Sequence, residues 1–204
     1  VDEVQAFVSN VVILPEEIQT EEHETSTNQS ILISSIEMEQ EDKISTDKFF
    51  YYQLDNYSKI IYKALEKNKE NMKTGTYEID LGDAFSSVLS QDNGKEILGD
   101  YYQSAIEAYT YDNPETFYLD FSKLYLNIET TTRLYKTTYR VFLNKGKSDS
   151  YLTDEFSSKE DVDQALIEIN KVKAYFIQNK QSDIYSNIKM VHDYLTQSIE
   201  YDTS

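Results

Sequence analysis

The chain has no cysteine and no tryptophan, only two prolines and five glycines, and arginine only at Arg133 and Arg140. Without cysteine it can form no disulfide and offer no thiolate to a metal ion. That absence fixes no compartment, because secreted proteins of many Gram-positive bacteria also lack cysteine. Lysine and arginine nowhere cluster, so the counterion-releasing contacts that hold a nucleic acid are missing, as is the basic patch that draws a protein to an anionic membrane. No apolar run reaches membrane-spanning length, which argues against membrane insertion. The start of the chain carries no charged, apolar and small-residue export signal; an exported parent would have lost its signal. The sequence contains no phosphate-binding loop, dinucleotide fingerprint or serine elbow, and no internal repeat of solenoid period.

What is present is 204 residues with 39% hydrophobic side chains, including 18 Tyr and 9 Phe, and a net charge of −18. Such a length suits one sizeable domain or two small ones with a core of their own. The charge is uneven. Residues 1–46 hold eleven carboxylates against Lys43 alone, a net of −10, which leaves −8 for residues 47–204. The expected organisation is therefore an acidic leader or linker over 1–46, disordered in part. An α+β domain would follow over 47–156, and a helical pair over 157–204. Within the leader, two apolar patches (residues 4–14 and 31–38) flank a polar run; Ile31, Leu32 and Ile33 could add one strand to a neighbouring sheet. His23 reads as a solvated side chain.

From residue 48 to 72 the apolar positions Leu54, Tyr57, Ile61, Ala64 and Leu65 share one helical face, and Gly75 ends the helix. Residues 76–81 alternate as a strand. Residues 84–90 and 94–111 read as helices, the second with Ile97, Tyr101, Ala105, Ile106 and Tyr109 inward. Asn113-Pro114 breaks the pattern, since proline forces its predecessor out of helical space. Residues 117–121, 123–131 and 134–144 then alternate at period two, and 145–150 form an exposed loop. Ser157 with Glu160 fits a capping box ahead of a helix whose stripe is Val162, Ala165, Leu166, Ile169, Val172 and Phe176. Ser182 is placed to cap a last helix with the stripe Ile184, Ile188, Val191, Leu195 and Ile199. The fold class is α+β and predominantly helical, with helices packed on a small antiparallel sheet and two long amphipathic helices at the end, paired antiparallel.

Candidate chemistry is thin. Asp80 with Asp83, or Asp112 with Glu115, offers carboxylate pairs of the kind glycosidases use, but among 37 acids close pairs arise by chance. Asp112 is better read as a turn former. Neither Asp92-Asn93-Gly94 nor Ser148-Asp149-Ser150 has the ligand spacing of a calcium loop. The pairs Tyr51-Tyr52 and Tyr101-Tyr102 put one ring inward and one on the helix flank. There they could meet a sugar or peptide, although filling a tryptophan-free core accounts for them more simply. His192, at the edge of the last stripe, reads as a partly buried histidine bonded to a backbone carbonyl. These residues assign no catalytic, cofactor or metal site.

Two segments do suggest a family. The run His192-Asp193-Tyr194-Leu195 leading to Ile199-Glu200-Tyr201-Asp202, together with Asp112-Asn113-Pro114-Glu115 before Phe117-Tyr118-Leu119, resembles the region preceding the catalytic core of secreted bacterial transglutaminase-like proteins of the clostridial type. Residues 60–65 and 105–109 add to the likeness, which spans about residues 50–202. The resemblance implies a Cys-His-Asp triad acting on glutamine side chains or peptide bonds, and none of the three maps onto this chain. His192, Asp193, Tyr194, Tyr201, Asp202, Asp112 and Pro114 would be scaffold positions. The implied role is a non-catalytic N-terminal portion of a cysteine peptidase or cross-linker, secreted or at the cell surface, whose partners are its own downstream core and a protein or cell-wall substrate. The alternative is a stand-alone cell-surface binding module.

Overall fold

The computed structural model describes residues 44–45, 47–133 and 136–198. Expectations for residues 1–43, including the strand at Ile31–Ile33 and the solvated His23, fall outside that set. The chain divides into two compact units, Val1–Ser157 and Ser158–Ser204.

The first unit opens on a short 3-10 turn, Tyr51–Gln53, followed by helix α1, Asn56–Met72. The sequence pattern extends the helix back to residue 48; the observed start is later because two carboxylates intercept the backbone. Asp55 caps α1, its Oδ1 accepting from the Tyr57 and Ser58 amides at 2.8 and 3.0 Å. Asp112 takes the Phe50 and Tyr51 amides, so the segment ahead of the cap is held in another conformation. Strand β1, Ile79–Gly82, is followed by the single-turn helix α2, Ser86–Leu89, and by α3, Gly94–Asp112. Gly75 turns the chain after α1 at φ +71°, and a Cβ there would sit 2.0 Å from the Ser150 hydroxyl. Only glycine satisfies both the left-handed backbone and that approach.

Strands β2, Tyr125–Arg133, and β3, Lys136–Asn144, form a long antiparallel ribbon, and β1 adds to the other side of β3 in the order β1-β3-β2. Leu143 of β3 lies opposite Ile79 on one side and Leu126 on the other. All three are buried, as are Val141 and Leu124. Because β1 pairs only with Val141–Leu143, the far half of the ribbon is exposed at Glu129–Thr132 and Lys136–Thr138. The strand expected over 117–121 is absent. Tyr118 and Leu119 are both buried, so the alternation fails at its centre. The segment bonds instead to the loop after β3, through Asp120 N–H to the Tyr151 carbonyl and Thr153 N–H to the Tyr118 carbonyl, each near 3 Å. Short 3-10 turns flank it at Pro114–Thr116 and Phe121–Lys123.

The core of this unit lies between α1 and α3 and continues onto one face of the sheet. Ile61, Tyr62 and Leu65 of α1 are inaccessible to solvent, as are Leu98, Ala105 and Tyr109 of α3. The rings of Tyr62 and Tyr109 meet edge to face at 5.2 Å. Removing each such side chain from water contributes about 1.5–3 kcal/mol. The fold is thus α+β and mostly helical around a small antiparallel sheet, in agreement with the sequence pattern.

The second unit is a pair of helices, α4 Lys159–Gln178 and α5 Ile184–Ser198. Both caps lie one residue later than the sequence places them. Ser158, not Ser157, accepts from the Asp161 amide. Asp183, not Ser182, accepts from the Ser186 amide at 2.8 Å, a carboxylate being the stronger acceptor at a helix N-terminus. Asn187 closes the turn by bonding to Gln181 and to the Asp183 carbonyl. Tyr194 of α5 packs its ring on Tyr175 and Phe176 of α4 at 5.6 and 5.1 Å.

Candidate functional site

The residues that carry the family resemblance fall in two places. In the first unit, Asp112 and Pro114 sit where α3 ends. Pro114 opens the 3-10 turn Pro114–Thr116, where its missing N–H is not needed. Asp112 does more than form a turn. Its carboxylate accepts the Phe50 amide at 3.0 Å, the Tyr51 amide at 2.8 Å and the Tyr62 hydroxyl at 3.2 Å. Asn113 beside it is fully buried. Its amide donates to the Tyr109 carbonyl at 2.9 Å and the Tyr62 oxygen at 3.2 Å, while its Oδ1 accepts from Lys48 Nζ at 2.6 Å. Lys48 also donates to the Asp112 carbonyl at 2.9 Å, and Lys69 of α1 pairs with Glu115. The result is a polar knot that ties the chain ahead of α1 to the end of α3.

The electrostatics of this knot favour fixed charge states. Burial would raise the Glu115 carboxyl, but the hydrogen bond and charge of Lys69 outweigh it and hold the group below the usual range. Burial pushes the Tyr62 phenol well above its ordinary value, and the neighbouring Asp112 charge adds to that. Both carboxylates are therefore occupied by donors, which removes the unlike pKa pair that acid–base catalysis requires. Asp80 is similarly taken, by an ion pair with Arg140 and by the Gly82 amide. Among the described residues no three His, Asp or Glu side chains are placed to hold a metal ion.

Just below the knot, the Tyr109 hydroxyl and one Glu66 oxygen are buried with no hydrogen-bond partner among the described residues. A buried hydroxyl without a partner carries its desolvation penalty uncompensated. Tyr109→Phe is accordingly expected to leave thermal stability unchanged or to raise it by up to about 1 kcal/mol. A clear loss on chemical denaturation would mean that the hydroxyl has a partner after all.

In the second unit, His192, Asp193 and Tyr194 lie on α5. His192 is not the partly buried, carbonyl-bonded histidine expected. Its side chain is 70% exposed and its Nδ1 lies 3.3 Å from Asp193 Oδ1. The residue next to it in the pattern explains this: Asp193 also pairs with Lys189 one turn earlier, which draws the polar edge of the helix outward. Tyr194 is a packing residue, and Tyr201 and Asp202 lie outside the described residues. The apolar stripe of α5 also differs from expectation. Its half-buried face is Ser186, Asn187, Met190, Asp193 and Tyr194. Ile184, Ile188, Val191 and Leu195, read as the inward stripe, are 78%, 63%, 36% and 44% exposed. On α4, Val162 is buried, Ala165, Leu166, Val172 and Phe176 are half-buried, and Ile169 is exposed.

Of the tyrosine pairs, Tyr51-Tyr52 splits as expected, Tyr51 being buried and Tyr52 exposed. Tyr101 and Tyr102 do not split. Tyr101 stacks on Tyr57 at 5.1 Å, and the Tyr102 hydroxyl donates to the Leu124 carbonyl. No helix among the described residues is long and apolar enough to cross a membrane. Comparison with known proteins returns no matching family model, no matching curated protein and no matching solved structure.

Proposed function

We propose that this chain is the non-catalytic N-terminal portion of a secreted or cell-surface transglutaminase-like cysteine enzyme, an α+β support that seats a catalytic core or shapes its substrate cleft. The observation that carries this reading is the outward stripe Ile184, Ile188, Val191 and Leu195 of α5. Four aliphatic side chains at spacings of four, three and four form a seam that suits another packed element. Full burial of each would contribute about 1.5–3 kcal/mol. The helix that bears this seam is the one whose His192-Asp193-Tyr194 run resembles the family's lead-in helix. The absence of cysteine fits a portion that holds chemistry in place without performing it.

The reading frame beyond Ser204 tests this. A Gly-x-Cys-x-Gly-Tyr-like segment within a few tens of residues, then a histidine and an aspartate, is the expected result. A stop codon directly after Ser204 would overturn it. These residues alone should neither incorporate amines into glutamine substrates nor cleave peptides. The second reading, a stand-alone binding module, is favoured by the exposed aromatics Phe49, Phe50, Tyr52 and Tyr111 on the first unit; the stop codon would leave it standing.

A further inference from the structure

The exposed aromatics of the first unit form a connected surface that neither reading above assigns to a ligand. Phe49, Phe50 and Tyr111 are 68%, 39% and 67% exposed. Phe50 contacts both neighbours, with ring centroids 5.3 Å from Phe49 and 5.1 Å from Tyr111. Single exposed hydrophobics are ordinary, whereas a contiguous group marks a contact surface.

The chemistry of an occupant follows from what lies beneath. The Asp112 carboxylate is taken by the Phe50 and Tyr51 amides and the Tyr62 hydroxyl. Lys48 is taken by the Asp112 carbonyl and Asn113. A sugar would find ring faces here without the convergent donors and acceptors that fix its hydroxyls. An apolar peptide needs only the rings.

One such peptide is tethered nearby. The described chain begins at Ile44, whose carbonyl accepts from the Tyr52 hydroxyl at 3.1 Å, and Lys48 N–H returns to the Ser45 carbonyl at 3.2 Å. The chain therefore enters the fold at the edge of the patch. Residues 31–38 (Ile-Leu-Ile-Ser-Ser-Ile-Glu-Met) are the nearest apolar stretch on its far side, and residues 39–48 are the link between them. Ten linking residues span at most about 35 Å and average roughly 17 Å end to end if they behave as a coil, which gives a local concentration in the millimolar range. Charge agrees, because Glu39, Glu41 and Asp42 of the link approach the edge where Lys59 Nζ lies over the Tyr51 ring at 5.6 Å.

We propose that the Phe49–Phe50–Tyr111 patch is the intramolecular seat of residues 31–38, an apolar clasp between the acidic leader and the first unit. The clasp is independent of what α5 contacts. The lack of native cysteine makes the test clean: a nitroxide on Ser34→Cys of the full chain is the only thiol label, and amide line broadening is read by NMR. The expected result is several-fold loss of the Tyr111 amide signal, which persists when labelled protein is diluted into unlabelled protein and is recovered when Leu32→Ser and Ile33→Ser are added. Tyr111 is the reporter because it is remote from the label in sequence, and Thr131 on the exposed ribbon is the reference. Broadening at Tyr111 no greater than at Thr131, or unchanged by the serine substitutions, would overturn the clasp. Broadening that vanishes on dilution would also overturn it, in favour of contact between two copies.

Discussion

Asp112→Ala is expected to destabilise the first unit by about 2–4 kcal/mol, read as a shift in the denaturation midpoint at unchanged slope. The size follows from which donors lose their acceptor. The Phe50 amide is exposed and can turn to water, so its loss is small. The Tyr51 amide and the Tyr62 hydroxyl are part-buried and have no such recourse. A donor stranded in that way costs about 1–3 kcal/mol. Asp112→Asn is the informative companion. It keeps one acceptor but points an NH2 group at donors, so it should fall between wild type and alanine. The substitution should also loosen residues 48–53, because the carboxylate is what replaces helical hydrogen bonds for that segment. If Asp112→Ala shifts the midpoint by less than about 0.5 kcal/mol, the range of an ordinary surface change, then the knot is not what joins the start of the unit to α3.

How much of this was legible in the sequence depends on the range of the interaction concerned. The faces of α1 and α3 and the break at Asn113-Pro114 follow from local spacing, and the structure has them where the pattern puts them. Caps are local too, but Ser157 and Ser158 compete for one helix and Ser182 and Asp183 for the next. A difference of one residue was not decidable from composition. Residues 117–121 failed for a different reason. Their alternation was real in sequence, but the segment bonds to Tyr151 and Thr153, and that pairing buries two consecutive side chains. The knot was invisible because Lys48, Tyr62 and Lys69 reach the turn from 64, 51 and 44 residues away. No spacing rule links such positions. The stripe of α5 was legible as an apolar face, yet the neighbour it should meet was not. The aromatic contact of Tyr194 with Tyr175 and Phe176 turns a different face of the helix toward α4.

Leu143→Ala should have an effect of the same order or larger, about 2–5 kcal/mol, because it opens a cavity at the centre of the sheet. Leu143 is on the middle strand, inaccessible to solvent, with Ile79 and Leu126 opposite it on the two neighbouring strands. Alanine would remove contacts to both ladders at once, and each flanking strand is anchored by backbone hydrogen bonds that limit its collapse into the space. The control lies on the same ribbon. Thr131, opposite Thr138, is exposed beyond the reach of β1, and Thr131→Ala should change stability by less than about 0.5 kcal/mol. The contrast locates the stabilising half of the ribbon in Val141–Leu143, where three strands overlap, and assigns the far half no part in holding the core. Equal losses from the two substitutions would contradict that division, and would mean that the far half of the ribbon is covered in solution by a partner.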